Sequence, residues 1–413
     1  MTRFTNALVC VALLAVVIFC CTVLPVEAEV ATEGYYVYKV SNAEATITSV
    51  DASVSGNITI PDTLGGYPVT AIGTRAFDDC NDLTSVEIPN GVTSIGDYAF
   101  AYSYKLENVT IPDSVTTIGQ YAFAGCSNLA DIKIPDNVTT IGQYAFYQCH
   151  GFTQITIPDS VTTMNTGAFA SCENVKRVTI GKGIEYIASV AFSRCLSLTS
   201  ITIPDTVRGI GDGAFRVCES LRSITIPEGV TNIGQKVFEY CFNLTTVNFN
   251  ATNCKITGSL LDGCKFVKKV NIGANVKRIH SYMFDGSIRL VEITIPDSVE
   301  SVGEYAFWDC TKLQKVMFSG TQAQWDEIIV ETGNAPLLEA QVVCNYVKPD
   351  AGDVDGEEGI TDADAVYLLY HTFLPDLYPV DQDCDFNGDG EVNDVDAVYL
   401  LYHTFLPDLY PIS

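Results

Sequence analysis

The sequence predicts a mainly β solenoid of 23-residue repeats followed by a small all-α C-terminal module. Three observations carry that expectation. Phe77, Phe100, Phe123, Phe146, Phe169, Phe192, Phe215 and Phe238 are each 23 residues apart; Leu261 fills the next slot, and Phe284 and Phe307 continue the series. A second register keeps the same step from Ile88 through Ile111, Ile134 and Ile157 to Ile295 and Phe318. Beyond Pro349 the period stops, and DAVYLLYHTFLPDLYP occurs identically at Asp364–Pro379 and Asp396–Pro411. Fixed internal periods mark stacked repeats, in which no single unit can bury its apolar face alone.

Charge and composition narrow the function classes. The 413 residues carry 23 basic and 50 acidic side chains, a net charge of −27. Such a chain is a poor match for nucleic acid or an anionic membrane. An apolar content of 47% is too high for a disordered protein. From Pro349 to Ser413 there are sixteen Asp or Glu and no Lys or Arg, so −16 of the charge sits in one segment. Fifteen Cys are many for a reduced cytosolic chain and few for a disulfide scaffold of this length.

At the N-terminus, Arg3 precedes an apolar run from Ala7 to Leu24 and then Pro25-Val26-Glu27-Ala28. This reads as a secretory signal over residues 1–28, cleaved after Ala28. An uncleaved membrane anchor is the alternative. Cleavage leaves a secreted chain with no further membrane insertion.

The repeat itself is well seen in IPDSVTTIGQYAFAGCSNLADIK, which starts at Ile111. Leu106, Val109 and Ile111 alternate with polar residues, a strand signature that the following Pro ends. Val115 and Ile118 form a second short extended piece before a Gly turn, and Ala122-Phe123-x-x-Cys126 turns the chain back. Stacking such coils at strand spacing, ~4.8 Å each, gives a rod. These residues resemble the BspA-like class of leucine-rich repeats found in bacterial secreted and surface proteins. The resemblance assigns residues 29–60 to an entry cap, 61–318 to repeats and 319–348 to an exit cap with a helix around Trp325.

Several repeat positions invite chemistry. Cys80, Cys126, Cys149, Cys172, Cys195, Cys218, Cys241, Cys264 and Cys310 share one register, with Ser103 and Ser287 in the other coils. A metal site or a disulfide ladder is one reading; small buried side chains are the favoured one. Tyr98, Tyr121, Tyr144, Tyr282 and Tyr305 share another register, either stacking on sugar rings or packing on adjacent turns, the second being favoured. Thr110, Thr156, Thr179, Thr202 and Thr225 line the outer strand face, as β-propensity alone would arrange them. No G-x-S-x-G, P-loop or HExxH motif is present. His150 beside Cys149 suggests a dyad, but neighbouring residues of a coil point apart. No repeat departs from the pattern to build a pocket, so the expectation is a non-enzyme.

After a linker at residues 349–352, the two copies of the duplicated helix each follow an acidic loop. The loop DFNGDGEVNDVD places Asp385, Asn387, Asp389 and Asp396 at the oxygen-ligand positions of an EF-hand-type calcium loop, with Glu391 giving its backbone carbonyl. The loop DVDGEEGITDAD offers Asp353, Asp355, Glu357 and Asp364, with Gly359 at the backbone-ligand position. It departs from the pattern at Glu358, where Gly normally makes the turn, so this site is expected to be distorted. Two Ca²⁺ ions are therefore the expected cofactors. Two such loop-helix motifs ending in Asp resemble a dockerin, covering residues 353–413. Dockerins plug secreted proteins into cohesin modules of scaffoldins in cellulosome-like assemblies. The resemblance implies cohesin contacts at Asp362, Ala363, Asp394 and Val395 in the loops, and at Leu369, Tyr370, Leu401 and Tyr402 in the helices. The helix faces support this, because Val366 to Leu374 is apolar nearly all round and so small a module cannot bury two such helices.

Together these features predict a secreted binding or adhesion protein whose solenoid grips an unidentified protein or glycan. The alternatives are a cellulosomal glycosyl hydrolase and a surface adhesin without a cohesin partner.

Overall fold

The computed structural model describes residues 29–51 and 53–346. The segment 1–28 and the acidic segment from 347 onward lie outside them. The chain divides into two units, Met1–Gly151 and Phe152–Ser413. Together their described parts hold about 13 solenoid turns and almost no helix.

In the first unit, β1 (Glu29–Glu33), β2 (Tyr36–Ser41) and β3 (Glu44–Val50) form an antiparallel meander. Then β3 switches to parallel pairing with the strand Tyr67–Ile72. The meander thus closes the end of the stack, since its last strand is also a rung of the first ladder. Two parallel ladders follow. One joins Gly56–Thr59, Leu83–Glu87 and Asn108–Thr110. The other joins Tyr67–Ile72 to Ser94–Ile95, Thr117–Ile118 and Thr140–Ile141. Ile118 faces Ile141 and Val86 faces Val109, so each residue meets its own repeat equivalent.

The second unit repeats the scheme. A six-stranded parallel sheet runs from Ser223–Ile226 through Thr246–Phe249, Lys269–Ile272, Glu292–Ile295 and Lys315–Phe318 to Gln341–Val343. Its end is closed by α1 (Gln322–Glu327) and α2 (Ala335–Glu339). The first of these is the helix expected around Trp325, and a capping box between Thr321 and Gln324 starts it.

The core follows the repeat. Val115, Ile118, Ala122, Phe123, Cys126 and Leu129 of one coil are all 0% exposed. The Phe rings stack face to face, with centroids 4.8, 5.2 and 5.3 Å apart from Phe77 to Phe146. From Phe169 to Phe238 the spacings are 5.9, 5.7 and 5.6 Å. These distances are close to the strand separation, so one Phe per coil fills one layer of core.

Candidate binding surface

The positions expected to bind calcium and cohesin, from Asp353 to Tyr402, all lie outside the described residues. What the structure places is the solenoid, and its chemistry is decided at the turn carrying Phe and Cys.

That turn has two left-handed residues in almost every coil. The first register includes Tyr98, Tyr121, Tyr144, Tyr282 and Tyr305, with φ between 52° and 59°. The second, four residues later, includes Tyr102, Ser171, Val217 and Tyr240, with φ between 58° and 64°. Alternate N–H groups therefore point along the stack. Tyr98, Phe100 and Tyr102 donate to the carbonyls of Gln120, Ala122 and Ala124 in the next coil, at 2.8, 2.7 and 2.7 Å. An apparently irregular turn is thus hydrogen-bonded much like a ladder.

The same geometry explains the cysteines. Thiols of the inner coils donate to the carbonyl of the Phe 26 residues earlier: Cys126 to Phe100 at 3.0 Å, Cys218 to Phe192 at 3.3 Å, Cys264 to Phe238 at 2.9 Å. Cys80, in the first such coil, meets the Asp78 carbonyl at 3.9 Å instead. Ser103 replaces the thiol with a hydroxyl and bonds Phe77 at 2.9 Å. The position therefore takes a small side chain with one donor. The ten cysteines from Cys80 to Cys310 are buried and, among the described residues, form no disulfide. Burial pushes Cys126, Cys195 and Cys310 up to about 12 and Cys80 to about 11. Cys149 donates to Phe123 at 3.2 Å and is fully buried, so its sulfur faces the preceding coil rather than forming a dyad with His150.

The tyrosines spend their ring faces on each other. Tyr98 stacks on Tyr121 at 4.9 Å and Tyr121 on Tyr144 at 5.1 Å. Arg75 covers the outer face of this stack, 4.5 Å from the Tyr98 ring. In the second unit Tyr282 stacks on Tyr305 at 5.4 Å, and the edge of Trp308 meets Tyr305. Packing on neighbouring coils is therefore the role of this register. Its edges and hydroxyls still face out: Tyr282 is 43% and the adjoining Trp308 54% exposed.

Other polar repeats stitch coils together. Thr116 and Thr139 donate to the preceding Thr carbonyls at 3.3 Å. Asp97 accepts from the Gln120 N–H at 2.8 Å, and Asp212 from that of Gln235 at 2.7 Å. Thr110, Thr156, Thr179, Thr202 and Thr225 stand exposed on the strand face, as expected.

Among the described residues no cluster of His, Cys, Asp and Glu could hold a metal. Glu239 is the one buried carboxylate among them, at 3% exposure, and both Arg216 and Lys236 bond it. Burial acts to raise its carboxyl, but those hydrogen bonds outweigh it and hold the group below its ordinary value. A clamped anion of this kind is a structural ion pair. A groove of about 610 Å³ with mixed polar and apolar walls lies along Ile203, Thr225, Pro227, Glu228 and Asn250, where Asn275 donates to Glu228 at 3.1 Å.

Three comparisons bear on this surface. The model of the BspA-type leucine-rich repeat region matches in six copies, over residues 55–172, 139–268 and 255–327. A leucine-rich repeat protein from Bacteroides ovatus is 28% identical over 76% of this chain and 90% of its own, with a TM-score of 0.56. A leucine-rich cell surface protein from Faecalibacterium prausnitzii is also 28% identical, over 74% of this chain and 98% of its own, with a TM-score of 0.41. No protein of curated function matches.

Proposed function

We infer the function from the premise that this chain belongs to the BspA-type leucine-rich repeat family. The protein is a non-catalytic binding scaffold that works outside the cell. One observation carries this reading. The thiols, threonine hydroxyls, aspartates and ring faces that recur with the period are committed to neighbouring coils, while the exposed register two residues before the Thr ladder varies, with Asn108, Gln154, Arg177 and Lys315 in equivalent places. A framework that fixes its interior and varies its surface suits recognition of a large partner, a protein or a glycan.

The acidic module is a dockerin in this reading, holding the scaffold to a cohesin through two calcium loops. Its support is the ligand spacing at Asp385, Asn387, Asp389, Glu391 and Asp396, and the exact duplication of the helix. Because the helices are identical, either can present the same face after a half-turn of the module. Cohesin binding should therefore survive Leu369→Ala with Tyr370→Ala, and equally Leu401→Ala with Tyr402→Ala. All four together should abolish it, as measured by titration calorimetry with calcium present. Complete loss from one pair alone would refute the duplicated site. Incubating the whole protein with plant polysaccharides tests the scaffold reading separately: retention without release of reducing sugar is expected, and hydrolysis would overturn it.

A further inference from the structure

The strand face of the six-stranded sheet has an unusual charge. The five spans 219–223, 242–246, 265–269, 288–292 and 311–315, which lead into its first five strands, contain Arg222, Lys265, Lys268, Lys269, Arg289, Lys312 and Lys315 against two acids, Glu219 and Glu292. Arg222, Lys268, Arg289 and Lys315 are exposed. Lys265, Lys268, Lys312 and Lys315 have no ion pair among the described residues, whereas Lys277 and Arg278 on the opposite ladder are paired to Glu300 and Glu331. A cation-rich face on a chain of net charge −27 calls for an anionic occupant.

We propose that this face docks the acidic C-terminal segment of the same chain, residues 350–396. Three features select that occupant. The last strand, Gln341–Val343, pairs with Lys315–Phe318, so the chain leaves the described residues from the very sheet that carries the cations. The segment that follows holds sixteen acids and no Lys or Arg from Pro349 onward. Its tether is long enough: Asn345 and Tyr346 are still bonded to Gly320 and Phe318, and the seven residues from Tyr346 to Asp353 reach about 23 Å when extended. Three strand steps back to Lys269 cover only about 14 Å. A tether of this length sets a local concentration in the millimolar range, which an anion from solution would have to match. The contact does not require the segment to bind calcium or cohesin.

Zero-length carbodiimide cross-linking of the full chain, read by mass spectrometry, tests this. Lys265, Lys268, Lys269, Lys312 or Lys315 should link to carboxylates between Asp350 and Asp396 in ~20 mM NaCl, with a yield independent of protein concentration. The yield should fall at least threefold in ~500 mM NaCl, because exposed charges are screened there, and similarly in the triple variant Lys268→Glu, Lys269→Glu, Lys315→Glu. The Lys105–Asp82 pair at 2.8 Å serves as the internal standard for the reaction. Links that grow with protein concentration would assign the face to a second chain. That result, or the absence of links while Lys105–Asp82 reacts, or links unchanged by the triple variant, overturns the proposal.

Discussion

The carbonyl of Phe192 accepts the N–H of Cys195 within its own turn, at 3.3 Å, and the thiol of Cys218 from the next coil, also at 3.3 Å. Both lone pairs are therefore used, and the side chain at 218 must be small and able to donate. Cys218→Ser should cost less than Cys218→Ala, which leaves that lone pair unfilled in a dry site and loses about 1–2 kcal/mol; urea unfolding of the two variants checks the order. Ionisation gives a sharper expectation. Burial raises Cys126, Cys195 and Cys310 from about 9 to about 12. Below pH 9 the thiols are protonated whether folded or not, and their stabilising contribution is complete. As pH rises from about 9 toward 12 only the unfolded chain ionises, so stability falls by about 1.4 kcal/mol per pH unit for each such thiol. The urea midpoint should therefore drop steeply above pH 9, and less steeply once these three cysteines are Ser; equal slopes would reject the linkage. That the register is small and buried was legible from Ser103 standing in for Cys. The bond to a carbonyl 26 residues away was not, because it depends on left-handed turn residues that the Tyr at those positions conceal.

At the scale of the element, the exit cap imitates the coil it replaces. In inner coils the Phe N–H donates to the next coil's Ala carbonyl, as Phe284 does to Ala306 at 2.9 Å. For the last coil, Phe307 N–H finds Asn334 Oδ1 at 3.0 Å, while Asn334 Nδ2 donates to the carbonyls of Gly303 and Glu331 at 2.9 and 2.8 Å. Tyr305 N–H meets Thr332 O at 2.9 Å. Gly333 lies so close over the Tyr305 ring that a Cβ there would come within 2.3 Å of it, so the backbone takes the place of the next Tyr. Asn334 is 1% exposed, and Asn334→Leu leaves the buried Phe307 N–H without a partner and takes one donor from each of the Gly303 and Glu331 carbonyls. A loss of about 2–4 kcal/mol follows, with the fastest-exchanging core amide expected at Phe307; unchanged protection there would show that the cap does not hold the stack. The two strand rows were readable from pattern, and the helix around Trp325 from the resemblance of this segment to an exit cap. The role of Asn334 was not, since one Asn in an irregular segment carries no periodic signal.

At the scale of the whole molecule, charge is the property that the repeat does not fix. Residues 29–151 hold 4 Lys or Arg against 14 Asp or Glu, a net of −10, whereas residues 152–346 hold 17 against 19, a net of −2. The sequence showed the −16 tail at once, but the unevenness of the solenoid becomes meaningful only once the fold divides it into two units. Like charges spread over stacked coils repel at strand spacing, and salt screens that repulsion over a Debye length of about 8 Å at 0.15 M. The first unit should therefore gain stability as NaCl rises from ~20 to ~300 mM, and the second should change little. Hydrogen exchange in dilute urea reads both in one experiment, through peptides around Phe100 and Phe123 for the first unit and Phe192 and Phe215 for the second. Solenoid stability is a sum of local coil and neighbour terms, so the two units can respond separately. If both shifted together, their difference in charge would have no bearing on stability, and the excess acid of the first unit would be free to serve its surface alone.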